Sequence, residues 1–336
     1  MKHMLNTKIT GILNGMRQKN LDSIIALKPE NISYVTDFKP SSFSVLILKD
    51  EPILFTSKLD IEDASEVSSV QVEAFISMDD IKKKLSGIVG IESSMTVGTH
   101  KKLLNNFKTE ITDVIEISRI IKSKEEVENI KAALQIAESS IMEVEFSGTE
   151  NEVAAQLEYN MRVRGSSKPS FETIVASGKR SSIPHAQVTT KPLESPVVID
   201  WGAVYNNYSS DTTRTIVETE KQEEIFQIVL EAQEQAIKSI KPGVKASYVD
   251  KVARDVITEY GYGDSYIHST GHGLGIEVHE EPSLSTKSED ILKNGMVVTV
   301  EPGIYLEGEF GVRTEDVVLI DNGAKVLTKI KKKLSF

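Results

Sequence analysis

Short strand-like and helix-like stretches of hydrophobic and polar residues alternate in the N-terminal part of the chain. Segments rich in β-branched and apolar residues predict strands at DSIIALKP, SFSVLILKD, EPILFTS and GIVGIESS. A Lys-Asp-Glu-Pro turn joins the second of these strands to the third, and SMDDIKKKLS has the spacing of a helix. This alternation predicts a smaller α/β domain over residues 1–119, with a mostly buried sheet.

Longer amphipathic helices are predicted further along the chain. Ser123 and Glu126 form a capping box before apolar residues at helical spacing. Thr149 and Glu152 repeat that signal before VAAQLEYNMRV. Later helices are predicted at QEEIFQIVLEAQEQAIKSI and SYVDKVARDVITEYG, and strands at FETIVAS, PVVIDWGAVY, DTTRTIVE, GMVVTVEPGIY and VRTEDVVLI. Runs of strands and runs of helices predict an α+β domain over residues 123–336, with an antiparallel sheet and flanking helices.

The overall composition narrows the class of protein. The chain has 336 residues, of which 39% are hydrophobic and 26% charged, as in ordinary globular proteins of about two domains. A net charge of −11 argues against nucleic acid as a partner, because no basic stripe is available to neutralise phosphates. Basic residues do gather in KIKKKLSF, which we expect to be a solvated terminal tail. No apolar run approaches the roughly 18 residues of a membrane span, and the absence of cysteine favours a cytoplasmic protein without disulfides or thiolate metal sites.

Two aspartates in the predicted strands need a reason, because aspartate is depleted in strands. Asp200 ends the apolar strand VVID, and Asp211 begins the returning strand DTTRT. A hairpin with its turn near Asn206 and Asn207 would place both acids at neighbouring positions on paired strands. Both could instead face solvent, but Asp200 directly follows apolar β-branched residues, which favours burial.

The same pattern returns in two later strands. Glu301 follows the apolar strand MVVTV, and Glu315 precedes DVVLI. Each acid, taken singly, could be an isolated residue at the edge of a strand. Four carboxylates in one pocket would repel one another, and two divalent cations would balance their charge. Together with a neutral His272 from the glycine-rich segment HSTGHGLGIEVHE, they form a donor set that suits manganese, iron, cobalt or zinc.

Five residues of this chain occur in the order and spacing of one known family. They are Asp200 in DWGA, Asp211 in DTTRT, His272 in TGHGLG, Glu301 in VEPGIY and Glu315 in VRTED. From about residue 123 onward the chain resembles the pita-bread metallopeptidases, which comprise prolidases, Xaa-Pro aminopeptidases and methionine aminopeptidases. The preceding part resembles the creatinase/prolidase-like N-terminal domain of the prolidase type, which disfavours the minimal methionine aminopeptidases. The resemblance implies a pita-bread (creatinase/aminopeptidase) fold for the catalytic domain.

Some positions differ from the residues that this family usually carries. Asp37 in NISYVTDF stands where a glycine is common. Trp201 replaces another apolar residue, and Thr314 replaces an isoleucine. Because the last two neighbour ligand positions without being ligands, they put the shape of the pocket in doubt and leave metal binding intact.

The resemblance implies two divalent metal ions per subunit, with manganese or cobalt favoured. Asp211 and Glu315 would bridge both ions, Asp200 would hold one, and His272 with Glu301 would hold the other. A hydroxide that bridges the ions would attack the scissile carbonyl. Either Glu301 or Glu315 would then carry the proton to the leaving nitrogen.

Four further residues acquire roles from the resemblance. His279 would stabilise the developing oxyanion, and His185 in SIPHAQ would contact the substrate near the scissile bond. His268 would face the substrate or serve as a structural histidine. Arg313 lies two residues from Glu315 on the same strand face. It would orient that carboxylate, bind the substrate's C-terminal carboxylate, or form a purely structural ion pair.

The resemblance predicts a homodimeric hydrolase that cleaves the Xaa-Pro bond of dipeptides, with short proline-containing peptides as substrates. The alternative within the family is an Xaa-Pro aminopeptidase acting on longer peptides. A non-catalytic binding module of the same fold and a creatinase-like amidinohydrolase are disfavoured, because the chain keeps all five ligand positions. Neither a nucleic acid nor a membrane is predicted as a partner.

Overall fold

Two compact units make up the chain. The computed structural model describes residues 2–336, with side chains from residue 8 onward. The units comprise Met1–Arg119 and Ile120–Phe336. Among the described residues, no helix combines the length and the apolar character that crossing a membrane requires.

The N-terminal unit is built on one mixed sheet with helices packed around it. Its strands are β1 (Ser23–Ala26), β2 (Ser44–Leu48), β3 (Ile53–Thr56), β4 (Gln71–Ala74), β5 (Ile88–Ile91) and β6 (Lys108–Ile111). Its helices are α1 (Lys2–Gln18), α2 (Pro29–Thr36), α3 (Ile61–Val67), α4 (Met78–Lys82), α5 (Val97–Leu103) and α6 (Val114–Ile120). The strand order is β4-β3-β2-β1-β5-β6. The pairs β1–β2 and β2–β3 are antiparallel, whereas the pairs β1–β5, β3–β4 and β5–β6 are parallel.

Burial follows the position of each strand in this sheet. Strands β1, β2 and β3 are buried along their whole length, whereas the edge strands β4 and β6 are largely exposed. A strand covered on both faces needs a continuous apolar run, and the central strands have that composition. The predicted α/β domain with a mostly buried sheet is therefore confirmed, although α1 was not predicted.

Asp37 ends α2 in the left-handed region of backbone conformation, with φ of 59°. Glycine adopts this region without strain, and aspartate is one of the few other residues that enter it readily. The glycine that is common at this position in the resembling family therefore has a structural reason, which aspartate also satisfies.

The C-terminal unit contains longer helices and several short strands. Its helices are α7 (Lys124–Ile141), α8 (Glu150–Val163), α9 (Glu220–Ser239) and α10 (Ala246–Glu259). Its strands are β7 (Ile174–Ser177), β8 (Val197–Trp201), β9 (Val204–Tyr205), β10 (Tyr208–Ser209), β11 (Thr212–Ile216), β12 (Gly271–Gly273), β13 (Glu280–Leu284), β14 (Val297–Val300), β15 (Gly303–Leu306), β16 (Phe310–Arg313), β17 (Asp316–Ile320), β18 (Ala324–Val326) and β19 (Lys333–Leu334). Both predicted capping boxes form, at the N-termini of α7 and α8.

The strands of this unit form two sheets and two separate hairpins. One sheet has the order β19-β11-β8-β7, the other has the order β13-β12-β14-β17-β18, and the hairpins are β9–β10 and β15–β16. All these pairs are antiparallel except β11–β19. The predicted α+β domain with an antiparallel sheet is confirmed.

Each sheet of the C-terminal unit buries apolar side chains against a pair of helices. Helices α9 and α10 share a core with the five-stranded sheet, and α7 and α8 share another with the four-stranded sheet. Trp201 lies in the second core, where its Nε1 donates a hydrogen bond of 3.0 Å to the carbonyl oxygen of Ala137. This large residue is thus accommodated behind the sheet.

Four sequence predictions differ from the structure. PVVIDWGAVY and GMVVTVEPGIY were each predicted as one strand, but β8 ends at Trp201 before β9 begins at Val204, and β14 ends at Val300 before β15 begins at Gly303. The segment VRTEDVVLI was predicted as one strand, but β16 ends at Arg313 and β17 begins at Asp316. The expected solvated tail is instead packed: Leu334 is buried, and β19 pairs in parallel with β11. Arg214, which is fully buried, contributes to this packing, because its Nε donates a hydrogen bond of 2.8 Å to the carbonyl oxygen of Lys331.

Candidate metal centre

The antiparallel pair β8–β11 brings the first two predicted ligands together. Asp200 lies opposite Thr213 in this ladder, and Asp211 immediately precedes β11. Because alternate residues of a strand share a face, Asp211 lies on the face of Thr213 and is a diagonal neighbour of Asp200. The chain reverses at Asn206 and Asn207, which have positive φ angles of 46° and 69°.

The pair β14–β17 brings the two predicted glutamates to the same end of the second sheet. Val300 lies opposite Asp316, so Glu301 and Glu315 are the next residues outward on the two strands. Thr213 connects the sheets at this point. Its carbonyl oxygen accepts a hydrogen bond of 3.1 Å from the amide of Glu315, and its Oγ1 donates one of 2.8 Å to Oε2 of Glu315.

His272 of β12 completes the group. Its Nε2 lies 3.3 Å from Oε1 of Glu301 and 3.6 Å from Oδ2 of Asp211. Its Nδ1 lies 3.1 Å from the carbonyl oxygen of Gly273, an arrangement typical of a histidine whose other nitrogen binds metal. One ligand atom from each of Asp211, His272 and Glu315 lies within 4.8 Å of the other two.

The electrostatics of these acids favour an added cation. Burial raises the pKa of Asp211 well above its usual value, and repulsion by Glu315 and Asp200 raises it further. Burial, then repulsion by Glu301 and Asp200, does the same to the pKa of Glu315. At Glu301 burial alone would raise the pKa, but the hydrogen bond and charge of His272 lower it to about 2. A divalent cation between the acids would stabilise their charged forms in the same way.

Two oxygens of the site are buried without a hydrogen-bond partner in the structure, Oδ1 of Asp200 and Oε1 of Glu315. An unsatisfied buried acceptor costs about 1–3 kcal/mol. A metal ion would satisfy such oxygens, and carboxylates with one imidazole suit manganese, iron, cobalt or zinc. The residues present therefore fit a divalent metal ion.

Arg313 at the end of β16 is directed at Asp200. Its Nη2 donates a hydrogen bond of 2.7 Å to Oδ2 of Asp200, and its Nε donates one of 3.1 Å to Oγ1 of Thr213. Its Nη1 donates one of 2.7 Å to the hydroxyl of Tyr305. The guanidinium therefore contacts Asp200 directly and reaches Glu315 only through Thr213.

Tyr305 of β15 is a site residue that sequence reasoning missed. Its hydroxyl accepts the hydrogen bond from Arg313 and lies 2.9 Å from Nε2 of His268, whose Nδ1 lies 2.8 Å from the carbonyl oxygen of Ser269. Burial raises the pKa of Tyr305 to about 12 and lowers the pKa of His268, so both groups stay neutral at neutral pH. In the sequence, the available signal was the place of Tyr305 in VEPGIY, the segment that also carries Glu301, although Glu301 lies between β14 and β15 in the structure.

The remaining predicted histidines are exposed residues beside this group. The ring of His279 lies edge-on to that of His272, with 4.3 Å between centroids. His185 follows Pro184, whose carbonyl oxygen accepts a hydrogen bond of 3.3 Å from Nη1 of Arg313. The structure thus brings His279 next to a candidate ligand and ties the segment of His185 to Arg313.

Comparison with known proteins agrees with this geometry. Residues 128–322 match the family described as metallopeptidase family M24, and residues 8–123 match the creatinase/prolidase N-terminal domain. The chain belongs to metallopeptidase family M24. It is 43% identical to the Xaa-Pro dipeptidase of Pyrococcus horikoshii, over 98% of this chain and 99% of that protein.

Solved structures of the M24 family resemble this chain over nearly its whole length. The prolidase from Pyrococcus furiosus has a TM-score of 0.90 at 43% identity, covering 95% of this chain and 99% of that one. The X-Pro aminopeptidase from Thermotoga maritima has a TM-score of 0.88 at 33% identity, covering 96% and 100%. The predicted family, pita-bread fold and metallopeptidase class are confirmed, and this M24 family implies divalent metal ions.

Proposed function

We propose that this M24 chain is an Xaa-Pro dipeptidase that uses two divalent metal ions. The observation that carries the proposal is the convergence of five side chains at one end of the two C-terminal sheets, namely Asp200, Asp211, His272, Glu301 and Glu315. Similarity to the Pyrococcus horikoshii Xaa-Pro dipeptidase over almost the entire length of both chains supports the substrate class.

We assign these five side chains as the ligands of the two ions. Two divalent ions would balance the four negative charges, whereas one would leave part of the repulsion that raises the pKa values of Asp211 and Glu315. The oxygen-rich donor set supports manganese or cobalt as the metal. When bound, such ions make a nearby water acidic enough to act as a nucleophile and polarise the scissile carbonyl.

The residues around the ligands have separate tasks in this proposal. His279, beside His272, donates a hydrogen bond to the oxyanion that develops on the scissile carbonyl. His185 contacts the substrate near the same bond. One of the two glutamates, Glu301 or Glu315, passes the proton to the leaving nitrogen. Both are candidates, since both lie at the same end of the β14–β17 ladder as the other proposed ligands.

Arg313 and His268 act in this proposal through a directional chain of hydrogen bonds. Arg313 donates to the hydroxyl of Tyr305, this hydroxyl donates to Nε2 of His268, and Nδ1 of His268 donates to the carbonyl oxygen of Ser269. Both nitrogens of His268 are thereby engaged, so it would contact a substrate with its ring and not by a new hydrogen bond. Arg313 orients Asp200 and is a positioning residue for that ligand.

Two further parts of the proposal concern the whole protein. We propose that the chain has domains of residues 1–119 and 123–336 and forms a homodimer, which light scattering of the purified protein would test. The cytoplasmic location stays a prediction from composition. The aminopeptidase alternative is supported by the likeness to the Thermotoga maritima X-Pro aminopeptidase.

The deciding experiment compares product formation from an Xaa-Pro dipeptide and from a pentapeptide with proline in the second position. The protein is first freed of metal with a chelator and then given manganese or cobalt. We expect much faster release of proline from the dipeptide, and no hydrolysis before metal is added. Preferential cleavage of the pentapeptide would establish the aminopeptidase alternative, and no hydrolysis of either peptide would exclude both.

A further inference from the structure

A buried ion pair lies next to the exposed His279 in the chain. Nζ of Lys122 is 3.0 Å from Oε2 of Glu280, and the two side chains are only 1% and 5% exposed. Removing two such charges from water costs several kcal/mol per ion, which their attraction offsets only when the geometry is favourable. A pair of this kind contributes little net stability, but it fixes the relative position of the two backbone segments that carry its side chains.

Glu280 holds the turn that connects β12 to β13. Its Oε1 accepts a hydrogen bond of 3.0 Å from the amide of Glu277, and its backbone lies opposite Gly273 in the ladder. The carboxylate folds over Gly275, where an added Cβ would lie 2.6 Å and 2.8 Å from its two oxygens. Glycine at 275 thus leaves free the space that the carboxylate occupies.

Lys122 is itself held by the backbone around it. Its amide donates a hydrogen bond of 2.8 Å to the carbonyl oxygen of Gly295, and its Nζ donates one of 3.4 Å to the carbonyl oxygen of Ile120. It also directly precedes Ser123, the N-cap of α7. The ammonium group is therefore a fixed point to which the turn is attached.

His279 depends on this turn for its own position. In the part of the chain whose side chains are described, its ring makes no hydrogen bond, and its one ring contact is the edge-on contact with His272. The neighbouring Glu280, in contrast, is tied at both carboxylate oxygens. The backbone that carries His279 is therefore set by Glu280 and its partner.

We propose that the Lys122–Glu280 ion pair is a positioning device that keeps the His279 imidazole beside His272 during the reaction. This inference rests on the role of His279 in the proposed function. Lys122 and Glu280 are not among the five proposed ligands. They act through the turn of residues 275–280.

Three variants test this inference: Lys122→Met, Glu280→Gln and the double variant. Each single variant leaves one buried charge without its partner and should lower the melting temperature. The double variant removes both charges, and the side-chain carbonyl that Glu280→Gln introduces can still accept from Glu277, so its melting temperature should return close to wild type. We nevertheless expect kcat to stay about 10- to 100-fold low, with KM and metal content unchanged. A double variant that regains wild-type kcat together with stability would overturn the proposal.

Two more measurements separate positioning from a general effect on the fold. In the His279→Ala background, the double variant should lower kcat no further, and an additional loss of the same size would overturn the proposal. In metal-free protein, the amide of Glu277 should exchange hydrogen faster in the double variant, because the turn is no longer attached to Lys122, and unchanged protection would also overturn it. Because exchange needs no peptidase activity, this readout decides the inference even if the wild-type protein hydrolyses no Xaa-Pro peptide.

Lys245→Met provides a matched control. It breaks the ion pair of Lys245 with Glu289, whose atoms are 2.6 Å apart but whose side chains are 53% and 83% exposed. Exposed pairs contribute little. The control should leave kcat and the exchange of the turn as in wild type, and a loss equal to that of Lys122→Met would overturn the proposal.

Discussion

Arg313 and Asp200 form an ion pair with 2.7 Å between Nη2 and Oδ2, and their side chains are only 3% and 13% exposed. The pair joins the β15–β16 hairpin to β8 of the four-stranded sheet in the C-terminal unit. It leaves Oδ1 of Asp200 without a hydrogen bond. One carboxylate oxygen is thus used for orientation, and the other is open to a metal ion.

Arg313→Met should weaken metal binding, because it removes the partner that orients Asp200. Loss of a residue that orients a ligand typically lowers metal affinity about 10- to 100-fold. Titration calorimetry with manganese or cobalt measures this change. Arg17→Met is the control, since its contact with Asp50 is 3.8 Å long and exposed. Equal affinities of wild type and Arg313→Met would show that the pair has no orienting role.

Asp211→Asn should abolish activity and lower the metal content while the fold stays intact. The substitution removes a charge that both burial and repulsion by neighbouring acids disfavour. The metal-free variant should therefore melt at or above the temperature of metal-free wild type at neutral pH. Circular dichroism, metal analysis and dipeptide hydrolysis measure the three effects. A variant with full activity and metal content would refute the assignment of Asp211 as a ligand.

His279→Ala should lower kcat and leave the amount of bound metal near that of wild type. Removing one donor to an oxyanion typically costs about 100- to 1,000-fold in kcat. His100→Ala is the control, because the His100 ring lies in the N-terminal unit, where its Nε2 is 3.0 Å from Oγ1 of Thr109. Steady-state kinetics and metal analysis are run on the same preparations. Parallel loss of metal and activity would place His279 among the ligands.

Gly275→Ala should destabilise the C-terminal unit, because the new Cβ would lie 2.6 Å from an oxygen of Glu280. Forcing an extra methyl group into such a packed position typically costs about 1–3 kcal/mol. Gly323→Ala is the matched control, since no atom lies within 4 Å of a Cβ built there. Thermal melting of both variants gives the comparison. Equal melting temperatures would mean that the carboxylate of Glu280 can move aside.

Asp60→Asn should make the N-terminal unit less stable at neutral pH and have a smaller effect in acid. Burial alone would raise the pKa of Asp60, but hydrogen bonds from Ser41 and Ser42 outweigh it, and the pKa is lowered. A lowered folded pKa stabilises the protein above the unfolded value of about 3.9, and this contribution is lost as the pH falls through the folded value.

Urea unfolding at pH 7 and pH 3 measures that difference. We expect Asp60→Asn to lose about 1.5–3 kcal/mol at pH 7, the usual range for hydrogen bonds to a charged group, and less at pH 3. Asp50→Asn is the control, because the Asp50 side chain is 91% exposed. A loss for Asp60→Asn that is as large at pH 3 as at pH 7 would contradict the assignment.

The elements and the candidate ligands follow from local patterns in the sequence. Capping boxes at Ser123 and Thr149 lie within one helical turn, and strand alternation depends on residues two apart. The sequence therefore predicts where helices begin and where Asp200 and Asp211 lie on their strands. The place of each acid at one end of a strand-like run could be predicted for the same reason.

Partners that lie far apart in the sequence were decided only by tertiary structure. For Arg313 the sequence left open a role in orienting Glu315, a contact with the substrate's carboxylate or a structural ion pair, whereas the structure pairs it with Asp200, 113 residues away. Lys122 and Glu280 are 158 residues apart, and neither carried a signal. Local periodicity determines the face of an element on which a side chain lies, but the packing of the sheets determines which faces meet. The register of β8 with β11 and of β14 with β17 therefore decided which charges were brought together.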